Sequence, residues 1–121
     1  MTALDPAHLV GTGGALGALC RTYVNRRVDS RTFPFGTLAV NVLGSFVLGL
    51  VTFAGVGEEV VLLVGIGACG SFTTFSSFSF ETVRLVEQGE STAAAVNSAA
   101  NLVGSLAAIG VAWLAVRIAF G

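Results

Sequence analysis

One stretch constrains the fold of this chain more than any other: Gly70-Ser71-Phe72-Thr73-Thr74-Phe75-Ser76-Ser77-Phe78-Ser79-Phe80-Glu81. It lies inside an apolar run, yet its twelve residues hold six hydroxyl side chains and four phenylalanines. A helix facing lipid has no use for so many hydroxyls, and a loop facing water has no use for so many phenyl rings. The pattern puts a polar task where bulk water is excluded.

The rest of the chain supplies that setting. Of 121 residues, 54% are hydrophobic and 11% charged, with a mean hydropathy of +0.85. This is the composition of a membrane protein; a soluble domain needs far more charge to cover its surface. The net charge of -1, carried without any basic run, argues against nucleic acid as a partner. Lysine is absent, and all six cations are arginines. No basic region precedes the first apolar stretch and no small-residue cleavage site follows it, so that stretch reads as a retained helix. Cys20 and Cys69 lie in apolar segments with no histidine nearby, which suits buried packing residues and not a metal site. His8 is expected to be solvated near the membrane edge.

The spacing predicts four transmembrane helices in a single domain covering residues 1–121. Asp5-Pro6 is a helix start, an acidic cap followed by proline at the first position. The first helix is expected over about 6–24, with Gly13 and Gly17 at the small-xxx-small spacing that allows close approach. Leu16 stands where a dinucleotide fingerprint needs its third glycine, and no strand precedes it, so the glycine cluster is not a nucleotide loop. Arg21, Asn25, Arg26, Arg27, Asp29, Arg31 and Pro34 make a polar connection. The second helix, about 36–54, carries Thr37, Asn41, Ser45 and Thr52 on one face; an amide at the depth of Asn41 needs a partner or a cavity.

Gly55-Val56-Gly57 is a short turn, and Glu58 and Glu59 suit the positive end of a third helix. From Glu58 to Gln88 the chain would span roughly 45 Å as one helix, against about 30 Å of hydrocarbon. An interruption near Gly70–Thr74 is therefore expected. Gly89 is placed as a left-handed terminator, and Ser91 as the cap of a fourth helix over about 92–120. That helix repeats Asn97, Asn101 and Ser105 at four-residue spacing, with Gly104 and Ala108 as a close-approach pair.

These polar faces offer hydroxyls and amides with few charges. Their donors suit an anion stripped of water, whereas the carbonyls of a broken helix suit a cation. Phe72, Phe75 and Phe78 at helical spacing would ordinarily be a packing ridge. Phenyl rings also carry a positive edge, and the interleaved hydroxyls favour edges that flank a small anion. A subunit this small encloses little of a pathway by itself, so an oligomer is expected.

Gly36-Thr37-Leu38-Ala39-Val40-Asn41 with Gly44, and Gly70 through Glu81, resemble the two signatures of the fluoride channel family (CrcB, or Fluc). The glycine-rich first helix leading to Arg21 is similar too, and the resemblance covers essentially the whole chain. It implies a passive fluoride channel, not an enzyme, built as an antiparallel dimer with two pathways along the interface. Phe75 and Phe78 match the rings whose edges line those pathways. Asn41 matches the amide that hydrogen-bonds near them and would, with the rings and hydroxyls, replace the anion's lost hydration. Thr74 and Ser77 belong to the hydroxyl track, Glu81 lies towards its end, and Arg21 matches a vestibule cation. A central structural sodium ion would be held by the Gly70 and Thr73 backbone carbonyls. Two positions depart from the pattern: Asn97 stands where a tyrosine is usual, and Ser71 where a second glycine is.

Arginine placement bears on insertion. Arg21, Arg26, Arg27, Arg31 and Arg84 fall towards one side and Arg117 towards the other, which puts both termini outside the cell membrane. That bias slightly favours pairing with an oppositely biased homologue over pairing with itself. The alternative reading is a small dual-topology multidrug exporter, which needs a membrane carboxylate that the first helix lacks. A second alternative, a non-transporting assembly factor, leaves the hydroxyl-rich break without a purpose.

Overall fold

The computed structural model describes residues 4–28, 30 and 32–121, which form helices and short connections without a strand. Asp5 opens α1 (Pro6–Arg27): its carboxylate accepts the Ala7 N–H at 2.9 Å, and Pro6 has no N–H to satisfy. The helix runs past Val24, its expected end. Arg26 and Arg27 occupy its last turn, where cations meet the negative end of the helix dipole. Arg27 also lies over the Tyr23 ring, 5.3 Å from its centroid. Arg21 and Asn25 through Arg27 are thus helical and not part of the connection; Asp29 and Arg31, also assigned to it, lie outside the described residues. Cys20, expected to be buried, is exposed on the outer face of α1 beside Leu16 and Leu19, while Cys69 is buried.

Helix α2 (Phe35–Phe53) ends at a turn in which Gly55 takes φ +68°, a conformation that costs glycine little. Helix α3 covers 58–72 in three parts: an α turn at Glu58–Val60, a π-helical stretch at Val61–Cys69 and an α turn at Gly70–Phe72. Thr73 (φ -81°, ψ 159°) and Thr74 (φ -148°, ψ 119°) are extended, and α4 (Phe75–Glu87) follows. The interruption is therefore narrower than Gly70–Thr74. Gly70 keeps ordinary helical angles (φ -61°, ψ -35°), and the Ser71 hydroxyl donates to the Gly14 carbonyl at 2.6 Å, holding that last turn against α1.

Gly89 (φ +78°) ends α4 with paired bonds, Gly89 N–H to the Val86 carbonyl at 3.0 Å and Glu90 N–H to the Leu85 carbonyl at 2.8 Å. Helix α5 (Ser91–Phe120) starts directly afterwards. Ser91 is its first helical residue and does not cap it; the capping position falls to Glu90, whose side chain makes no capping bond.

α1 packs along the π-helical stretch through backbone contacts. A Cβ added to Gly13 would run into the Leu63 carbonyl oxygen, and one on Gly17 into the Ala68 carbonyl oxygen. From the other side, a Cβ on Gly67 would lie 2.8 Å from the Val10 carbonyl oxygen. α2 packs mainly on α5, where a Cβ on Gly49 would lie 2.8 Å from that of Ala112. α4 lies on α5 and the first half of α2.

Phe35–Phe53, Glu58–Glu87 and Ser91–Phe120 reach mean hydropathies of 1.8, 1.6 and 1.9 and are long and apolar enough to cross a membrane. Their outer faces leave Leu43, Leu48, Leu102, Leu106, Leu114 and Ile118 exposed. In water this would forfeit about 25 cal/mol for every Å² of apolar surface left unburied; against lipid or a second subunit it does not. The centre is unusual for another reason. The two largest fully buried side chains are Val40 and Asn97, so a primary amide sits at the heart of the subunit.

Candidate functional site

The break between α3 and α4 is built by its neighbours as much as by its own residues. In an unbroken helix the Thr74 N–H would close on the Gly70 carbonyl. Here it donates to Asn41 Oδ1 at 2.8 Å, while Asn41 Nδ2 donates back to the Thr74 carbonyl at 3.1 Å. The α2 amide thus takes both backbone groups of Thr74, as a neighbouring strand would, and replaces the bonds that helix geometry denies them. Gly44, one turn further along α2, admits the loop: a Cβ there would run into Thr73 Cγ2 and lie 3.2 Å from Phe72 Cδ2.

Thr74 then begins α4. Its Oγ1 accepts the Ser77 N–H at 3.1 Å, a side-chain cap that also diverts this donor from the Thr73 carbonyl. Phe75 and Phe78 follow on the first turn, with ring centroids 5.8 Å apart and planes tilted by 45°. Phe75 is 79% exposed, projecting from the subunit instead of packing inside it. A cleft of about 610 Å³, open along one side, collects Asn41, Ser45, Gly70, Thr73, Thr74, Phe75 and Phe78.

A second cleft, about 690 Å³, lies beyond them and is lined by Asn25, Thr37, Ser76, Ser77, Phe80 and Glu81. Glu81 on α4 is half-buried and accepts a short hydrogen bond from the hydroxyl of Thr37 on α2. The residues singled out from the sequence therefore fall into two groups. Asn41, Gly70, Thr73, Thr74, Phe75 and Phe78 share the first cleft, and Ser77 and Glu81 share the second. Arg21 is half-buried on α1 and lines neither.

The largest addition to the sequence reading is the surroundings of Asn41. Its Nδ2 also donates to Asn101 Oδ1 at 2.9 Å, so both amide hydrogens are committed within the subunit. Asn101 Nδ2 donates to the Asn97 backbone carbonyl at 2.9 Å and to Asn97 Oδ1 at 3.0 Å. Asn97 Nδ2 donates to Thr82 Oγ1 at 3.0 Å, and Thr82 Oγ1 donates to the Phe78 carbonyl at 2.7 Å. The four-residue spacing of Asn97 and Asn101 marked a polar stripe in advance. Nothing in the chain announced that the amides of Asn97 and Asn101 would spend their hydrogens on one another and on Thr82, while Asn101 and Ser105 border the first cleft.

These features define a class: a small helical membrane protein in which one long apolar span is broken, with one open cleft at the break and a second beyond it, walled by rings, hydroxyls and amides. Residues 8–113 match the family described as CrcB-like protein, Camphor Resistance (CrcB), and the chain belongs to that family. It is 63% identical over 118 residues to Fluoride-specific ion channel FluC 2 of Haloarcula marismortui, an alignment covering 98% of this chain and 99% of that protein. It is 50% identical over 111 residues to Fluoride-specific ion channel FluC 1 of Halobacterium salinarum, covering 92% and 93% of the two chains. Fluoride-specific ion channel FluC 3 of Methanosarcina acetivorans is 45% identical over 111 residues, with 91% of this chain and all of that protein covered.

Proposed function

We propose that this chain is a subunit of a passive, fluoride-selective channel that lets the anion leave the cell. The observation that carries the proposal is the ring pair Phe75 and Phe78, set on the first turn after a broken span and facing an open cleft, in a chain similar along nearly its whole length to relatives named for fluoride conduction. Hydrogen fluoride crosses a bilayer neutral and dissociates inside. A potential negative inside then drives the anion outward at roughly 2.3 kcal/mol per charge per 100 mV, so no nucleotide or proton gradient is required. Phenyl edges and Ser/Thr hydroxyls replace hydration along the way. Thr74, Ser77 and Glu81 continue the track beyond the rings, and Arg21 adds cationic attraction at a mouth. Asn41, whose amide hydrogens are engaged, acts by holding Thr74 and the turn that carries the rings.

The working unit is an antiparallel dimer in the cell membrane, each subunit crossing four times. Crossing by α1 is supported by its 22 residues and by its alignment along the π-helical stretch of α3. The exposed Phe75 ring and the open side of the first cleft call for a second subunit to close the pathway. A sodium ion fits at the centre of such a dimer. The Thr74 and Ser77 N–H groups are diverted to side chains, which frees the Gly70 and Thr73 carbonyls, and both residues border the open cleft. Hard oxygen donors of this kind suit an alkali cation, and the same pair from the second subunit would complete the set. The arginine excess near the end of α1 favours an orientation with both termini outside and a partner of opposite bias. α1 holds no carboxylate between Pro6 and Arg27, so a proton-coupled exporter would lack its exchanging group.

Fluoride release from loaded liposomes, followed with a fluoride electrode, tests the channel. Rapid release without a proton gradient is expected, and no release from well-folded dimers overturns it. Phe75→Ile or Phe78→Ile should suppress the flux while leaving assembly intact. Topology tagging of the chain expressed alone tests the bias; equal populations of both orientations would remove it.

A further inference from the structure

We infer that Asn101, Asn97 and Thr82 are positioning residues for the ring pair, acting through one directional row of hydrogen bonds and not as ligands of the anion. This rests on the channel reading above. The direction of the row is set at its first member. Asn41 Oδ1 is fixed by the Thr74 N–H and Asn41 Nδ2 by the Thr74 carbonyl, so Asn41 has only a donor left to offer Asn101. Asn101 must answer with Oδ1, which turns its Nδ2 towards Asn97, where a backbone carbonyl and the Asn97 Oδ1 both accept. Asn97 is then left with Nδ2 facing Thr82, and the Thr82 hydroxyl spends its own hydrogen on the Phe78 carbonyl. Every amide orientation follows from the backbone groups at Thr74, Asn97 and Phe78; flipping any one of them would set donor against donor or acceptor against acceptor.

The ends of the row matter most. It starts at Thr74, immediately before Phe75, and finishes on the carbonyl of Phe78, so it grips both ends of the single turn that carries the rings. α2 and α5 thereby fix the rotation of that turn about its axis, and with it the direction of the ring edges. The donor inventory argues against the simpler role of anion ligand: Asn97 is 0% exposed, and Asn101, although it borders the first cleft, has both amide hydrogens taken. A site that separates fluoride from a larger halide needs its wall held in place, and a closed amide row in a dry interior holds it.

Thr82 allows the cleanest test, because valine has the shape of threonine without the hydroxyl. The parent, Thr82→Val and Thr82→Ser are reconstituted in liposomes, and fluoride and chloride release are measured with selective electrodes. Thr82→Val should elute as the parent does but lower the fluoride-to-chloride flux ratio by about fivefold, the factor corresponding to one net hydrogen bond of about 1 kcal/mol. Thr82→Ser, which restores the hydroxyl, should return the parent ratio. Asn97→Ser, too short to reach Thr82, cuts the same end of the row and should reproduce the valine result if Thr82→Val fails to fold. A parent-like ratio in folded Thr82→Val or Asn97→Ser overturns the positioning role. A parent that releases no fluoride instead removes the channel reading on which it rests.

Discussion

The two halves of the molecule are joined by different means, and the contrast explains where its precision lies. On one side, α1 meets the π-helical stretch of α3 through glycines set against carbonyl oxygens, Gly13 to Leu63, Gly17 to Ala68 and Gly67 to Val10. A single side-chain bond, from Ser71 to the Gly14 carbonyl, ties the end of that contact. On the other side, α2 and α5 also pack closely at Gly49 and Ala112, but α2, α4 and α5 are joined in addition by a row of amides and hydroxyls. Helices in lipid gain nothing from hiding apolar surface from one another, so association must come from close packing or from hydrogen bonds. Close packing is dense but indifferent to polarity. Hydrogen bonds are directional, and they are found where the ring pair and the break must be held. The glycine side is a foundation, and the amide side sets an angle.

Substitutions that attack one side at a time sharpen this contrast. The largest effect is expected from Gly13→Leu, which forces a side chain into the Leu63 carbonyl with no flexible neighbour to yield. Overpacking of this kind should cost about 3 kcal/mol or more, read as loss of folded protein or a collapsed unfolding midpoint in mild detergent. Gly14→Ala is the control: its Cβ meets nothing closer than the Gly67 carbonyl oxygen at 4.0 Å, and the midpoint should hold. Parent-like folding of Gly13→Leu would show that the foundation is not where the structure puts it.

Asn41→Leu comes next. It removes both bonds to Thr74 and the bond to Asn101, leaving the buried Thr74 N–H without a partner, at a cost of about 2–3 kcal/mol. Hydrogen exchange should show the start of α4 opening before the rest of the subunit; uniform loosening would contradict a local clasp. Ser71→Ala deletes one hydrogen bond on the glycine side and should lower stability by about 1 kcal/mol without changing ion selectivity. A shift in selectivity would mean that the two sides are coupled.

Gly70→Ala is expected to be the mildest for the subunit. Nothing lies within 4 Å of the added Cβ, and alanine favours the helical angles found there by about 1 kcal/mol. If the Gly70 carbonyl meets a second copy around a shared cation, this change should leave the subunit folded but weaken the dimer on a sizing column. An undiminished dimer would move the cation proposal away from Gly70.

Much of the architecture was legible from local signals. Asp5-Pro6 marked the start of α1, Gly55-Val56-Gly57 marked a short turn, Gly89 marked a left-handed terminator, and Gly13 with Gly17 marked a close approach. Each signal operates within a few residues, so no knowledge of the fold is needed to read it. The break was visible as hydroxyls and glycine inside an apolar run, but its extent was not. Gly70 suggested flexibility yet remains helical, because what opens the chain is the Asn41 amide taking the Thr74 backbone. The π-helical winding at Val61–Cys69 left no trace either, since that segment is apolar all round and carries no periodicity to betray the extra width of its turns. Ser91 shows the converse, a good capping residue that falls one position inside its helix.

What the sequence determined by itself was the apolar solvent, the helical class, the start of α1 and the turns at Gly55 and Gly89, and the neighbourhood of Gly70 to Glu81 as the place where polar groups meet rings. Composition, capping residues and left-handed glycines carry that information because they act on the chain before it packs. The tertiary structure alone decided which polar groups remain available. Asn41 finds Thr74 across 33 residues and Asn101 across 60, and those partners consume the donors that the sequence left unassigned. A hydrogen bond is satisfied only once, and its partner is chosen by packing.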